Sequence, residues 1–61
     1  MAIIEFKTLS GFQPIEANLI IALKYTDNPD VCVVVLEDGE NFQALESVDS
    51  AWNRVQRVCD G

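Results

Sequence analysis

The segment Val31-Cys32-Val33-Val34-Val35-Leu36 is apolar at every position. A short apolar run rich in β-branched residues and bounded by turn formers reads as a strand. Because successive side chains alternate between faces, this strand needs cover on both sides. Asp27-Asn28-Pro29-Asp30 forms the turn before it, and Glu37-Asp38-Gly39-Glu40 breaks it, with Asp38-Gly39 as a hairpin signal. Asn41 to Leu45 then returns as the partner strand, with Phe42 and Ala44 on one face.

Upstream, Ile4 and Phe6 alternate with Glu5 and Lys7, which marks Ala2 to Leu9 as a half-buried strand ending at the turn Ser10-Gly11. Residues 12–25 admit two readings. Pro14 followed by Ile15, Ala17, Leu19, Ile20 and Leu23 fits a short helix with proline at its first position. Alternatively, Phe12 to Ile15 and Ile20 to Tyr25 form two strands around a turn at Ala17-Asn18, with Ile21, Leu23 and Tyr25 alternating. The strand reading is favoured.

The final segment carries the helical period. Ser47 is a natural N-cap, and Asp49 lies in the first turn, where the helix dipole favours negative charge. Val48, Ala51, Trp52, Val55, Val58 and Cys59 follow the i, i+3, i+4, i+7 rule and make one apolar stripe. Trp52 and Cys59 are therefore expected in the core. The fold class is α+β: a small antiparallel β-meander, or a partly closed barrel, followed by one C-terminal amphipathic α-helix. Residues 1–61 form a single domain.

One helix shields one face of a sheet, so the second face of Val31–Leu36 calls for a curled sheet or another molecule. A chain of 61 residues also buries only about 60% of its extended surface on folding and gains from association. A homo-oligomer is the expectation, with Phe12, Val31, Val33, Val35 and Trp52 as contact residues. With 49% hydrophobic residues the chain is too apolar to be disordered. No run approaches the roughly 20 apolar residues of a membrane span, so membrane insertion is not expected. Met1-Ala2-Ile3-Ile4-Glu5 lacks the basic and apolar regions of a signal peptide, which makes a cytoplasmic location the expectation.

Catalytic groups are scarce. There is no histidine, so the commonest general base and metal ligand are both missing. Cys32 and Cys59, the only cysteines, sit in apolar stretches without a neighbouring cation and read as buried free thiols rather than nucleophiles or a bridge. No catalytic residues, metal ligands or cofactor are assigned, and the chain is read as a non-enzyme whose partner is a protein.

Ten acids against four bases give a formal net charge of -6. That balance disfavours direct contact with nucleic acid. It also opens a second reading, in which the chain is an acidic inhibitor of the kind phages and mobile elements encode. Asp27, Asp30, Glu37, Asp38 and Glu40 would imitate a phosphate backbone and occupy a basic nucleic-acid-binding surface. These five acids fall at successive turns, and the expectation is that the turns gather them at one end of the meander.

The stretch Leu36-Glu37-Asp38-Gly39-Glu40-Asn41-Phe42-Gln43-Ala44-Leu45-Glu46-Ser47-Val48-Asp49 resembles the hairpin-to-helix signature of the FlbD family of small flagellar proteins. Leu9-Ser10-Gly11, Ala17-Asn18-Leu19-Ile20 and Pro29-Asp30 resemble earlier parts of the same pattern. Trp52, the acidity and the lack of basic C-terminal residues depart from it. The resemblance implies a non-enzymatic accessory role in bacterial flagellar assembly or motor function, exerted through protein contacts.

Overall fold

A computed structural model describes residues 2–60. Its elements are β1 (Ile3–Thr8), β2 (Gly11–Glu16), a 3-10 turn (Ala17–Leu19), β3 (Ile20–Tyr25), β4 (Cys32–Leu36), β5 (Asn41–Ala44) and α1 (Val48–Asp60). Residues 12–25 therefore take the strand reading. β1 and β2 form an antiparallel hairpin, and β3, β4 and β5 form an antiparallel sheet in that order. The two sheets meet where the Leu45 N–H donates to the Lys7 carbonyl at 2.8 Å. The strands do not close into a barrel, and the architecture is α+β with the helix last.

The turns follow from their residues. Gly11 ends the β1–β2 turn at φ +115°, where a side chain would be strained. Between β4 and β5, the Gly39 N–H donates to the Leu36 carbonyl at 3.0 Å, and the Leu36 N–H donates to the Glu40 carbonyl at 2.8 Å. Gly39 at φ +91° is thus the left-handed residue of a three-residue hairpin loop. At the β3–β4 connection the Thr26 hydroxyl accepts from the Asn28 N–H at 3.1 Å, and the Asn28 side chain accepts from the Asp30 N–H at 2.9 Å.

The core lies where both sheets meet α1. Ile4 and Phe6 from β1, Cys32, Val34 and Leu36 from β4, Ala44, and Val48, Ala51 and Val55 from α1 are all buried. Phe6 and Phe42 meet edge to face with ring centroids 5.7 Å apart, which joins the two sheets. Ser47 caps α1 as expected, its hydroxyl accepting from the Ser50 N–H at 3.1 Å. Arg54 fastens the helix to β1. Its guanidinium donates to Glu46 and to the Glu5 carbonyl, and it lies 5.4 Å from the centre of the Phe6 ring.

Two expectations for the helix need correction. Cys59 is exposed rather than buried. Trp52 is 45% exposed rather than core. The buried line runs through Val48, Ala51 and Val55, and Arg54 reaches β1 from one flank of it. Trp52 projects from the opposite flank, about 100° from Ala51, beyond the part of the helix that the sheets cover. Cys59 shares the direction of buried Val48 to within about 20° but lies one residue from the C-terminal end of α1.

Candidate interaction surface

Among the described residues no three of His, Cys, Asp and Glu come together as a metal site. Burial pushes the Cys32 thiol above its ordinary pKa, and the Glu46 carboxylate adds to the effect, so the sulfur stays protonated and unreactive at neutral pH. No helix among the described residues is long and apolar enough to cross a membrane.

Two of the open grooves among the described residues have apolar walls. One, of about 470 Å³, runs between the β1–β2 turn and the β4–β5 hairpin, with Leu9, Ile15 and Phe42 among its walls. The other, of about 600 Å³, lies between the β1–β2 hairpin and α1, lined by Ile3, Pro14, Val58 and the two arginines of the helix. Arg54 is already engaged there by Glu46 and the Glu5 carbonyl, so this groove does not present a free pair of cations.

The expected contact residues fall in different places. Phe12, opposite Lys7 on the outer face of the hairpin, is 69% exposed. Val33 and Val35 lie on the outer face of β4, and Val31 precedes the strand by one residue. The second face of β4 is narrower than its sequence implies. Val33 pairs with Lys24 and Gln43, and Val35 with Ala22 and Asn41, so two half-buried valines sit between mostly polar neighbours. Trp52 stands apart on the helix flank. Phe12, the valines and Trp52 therefore do not form one patch.

Sequence reasoning passed over the most exposed apolar residues of the sheet. Ile21 is 61% exposed and Tyr25 78% exposed, both on β3. Their alternation with Leu23 had placed all three on one face. A bulge between Ile20 and Ala22 shifts the register, so that Leu23 pairs with buried Val34 while Ile21 is left as the extra residue. The signal was the doublet Ile20-Ile21, since neighbouring strand residues point to opposite faces.

The acidic residues are not gathered. Asp27 and Asp30 occupy the β3–β4 connection, and Glu37, Asp38 and Glu40 the β4–β5 connection. In an antiparallel sheet these connections lie at opposite ends of β4, roughly 17 Å apart along a five-residue strand. The expectation of a single acidic end is corrected by this topology.

No family model matches the chain. Neither the curated proteins nor the solved structures include a significant match to it.

Proposed function

We propose that the chain works by binding protein, as a homo-oligomer, and not by catalysis. One observation carries this reading. Leu9, Phe12, Ile21 and Tyr25 are all largely solvent-exposed on a molecule with only 4196 Å² of surface. Large apolar side chains in water cost free energy that association recovers, and tyrosine in particular suits an interface because its ring is apolar and its hydroxyl wet. The absence of histidine and the protonated, enclosed Cys32 thiol favour the same reading. The proposed setting is the cytoplasm. The likeness of Leu36–Asp49 to the flagellar family rests on those residues and makes flagellar assembly one place to look for the partner.

The test is light scattering across a range of protein concentrations at low and high salt. A chain carrying a net charge of -6 repels its own copies, so self-association is expected to strengthen as salt screens the repulsion. The expected mass is a multiple of 6.8 kDa. A monodisperse monomer at high concentration in both salts contradicts the reading.

A further inference from the structure

We infer that the Asp38-Gly39 bond is a site of spontaneous isoaspartate formation, and that the native β4–β5 hairpin holds it closed until the loop opens.

The chemistry needs only these two neighbours and water. The Gly39 amide nitrogen attacks Cγ of the Asp38 carboxyl group. A C–N bond forms, and one carboxyl oxygen leaves as water, taking the amide hydrogen with it. Water then adds back to the five-membered ring. Addition at the side-chain carbonyl restores aspartate. Addition at the main-chain carbonyl breaks the original peptide bond, and the chain now runs through the side chain with one more backbone carbon. Nothing is oxidised or reduced, and the mass returns to its starting value.

The residue after the acid decides where this happens, because its side chain crowds the attacking nitrogen. Asp27, Asp30 and Asp49 are followed by Asn28, Val31 and Ser50, whereas Asp38 is followed by glycine. Asp38-Gly39 is the one such pair that lies wholly within the described residues, since Asp60-Gly61 extends beyond them. The turn imposes the pair. Gly39 takes φ +91°, and a Cβ built there meets nothing within 4 Å, so backbone conformation rather than space keeps glycine at this position. Residues 37–40 are exposed, and water reaches the bond.

In the native loop both reacting groups are occupied. The Gly39 N–H donates to the Leu36 carbonyl at 3.0 Å. Asp38 Oδ1 accepts from the Glu40 N–H at 2.9 Å, which carries the carboxyl group past Gly39 to the residue beyond it. Ring closure gives up both bonds. The base of the loop is also fixed, because the Leu36 N–H donates to the Glu40 carbonyl at 2.8 Å and the Leu36 side chain is buried in the core. The reaction therefore waits on opening of the hairpin. The added backbone carbon lengthens a loop whose two bonds to Leu36 suit its present length, so a modified chain rebuilds the hairpin poorly. Isoaspartate at this position records time spent open.

The test keeps the wild-type chain at neutral pH, in buffer and in guanidinium chloride, and follows isoaspartate at position 38 by peptide mapping with mass spectrometry. Loss of the two bonds that hold the reacting groups predicts formation about 30-fold slower in the folded chain. The Asp30-Val31 bond, with a branched side chain beside the nitrogen, should stay nearly unmodified in both. Asp38→Asn closes the same ring with ammonia leaving in place of water and keeps an oxygen for the Glu40 N–H. It should react faster than the aspartate and show the same ratio between folded and unfolded chain. Equal rates in the two states overturn the protection by the hairpin. Absence of isoaspartate at position 38 from both states, in both chains, overturns the site.

Discussion

Leu23 lies directly opposite Val34 across the β3–β4 pair, its side chain packed against the core and its backbone groups turned to the free edge. Its neighbour Lys24 lies opposite Val33 on the other face, so side chains on this strand alternate between core and solvent. Substitutions that probe stability and those that probe association therefore belong at different positions.

Arg54 offers the clearest test of what holds the helix in place. Arg54→Ala removes the ion pair with Glu46, the bond to the Glu5 carbonyl and the stacking on Phe6. The arginine side chain is 40% exposed, so water screens part of this, and the expected loss is about 1–2 kcal/mol. Urea unfolding monitored by circular dichroism measures it. Arg54→Lys should recover less than half of the loss, because an ammonium cannot reproduce the planar fork. An unchanged urea midpoint in Arg54→Ala contradicts the role given to this residue.

Trp52→Ala should be milder than a core truncation. A fully buried tryptophan costs roughly 3–5 kcal/mol on replacement by alanine. With Trp52 on the helix flank and 45% exposed, the expected cost is about 1–2 kcal/mol. The variant should therefore remain folded, and its effect on partner binding becomes interpretable. Unfolding of Trp52→Ala would show that the indole is more deeply packed than described.

The two cysteines should separate cleanly. Cys59 is exposed and Cys32 buried, so a thiol reagent should label one sulfur in the native chain and the second only on unfolding. The Cys32 pKa is raised in the fold relative to the unfolded chain, by burial and then by Glu46. Its contribution to stability is therefore complete below the unfolded thiol pKa of about 8.5 and is lost as pH rises toward the folded value. Stability should fall above about pH 8.5, and Cys32→Ala should flatten that alkaline slope while lowering stability at neutral pH. Rapid native labelling of both thiols contradicts this picture.

Much of the architecture was legible because periodicity reports which face a residue takes. Ile4 and Phe6 alternating with Glu5 and Lys7, and the Val48–Ala51–Val55 line behind an N-cap serine, read directly as strand and helix. What periodicity does not report is how far the covering layer extends. Trp52 and Cys59 belong to the apolar stripe by spacing, yet Trp52 lies to the side of the buried line and Cys59 next to the end of the helix. The β3 bulge was hidden for another reason: one extra residue reverses the alternation that identifies a face, and only pairing with β4 reveals it. The grouping of the acids failed on connectivity, since consecutive turns of a meander lie at opposite ends.

Self-association is the central proposal, and light scattering as a function of protein concentration tests it most directly. The mass is expected to rise above 6.8 kDa with concentration, and more readily at high salt, where the repulsion between copies of net charge -6 is screened. A monodisperse monomer at every concentration in both salts would contradict it.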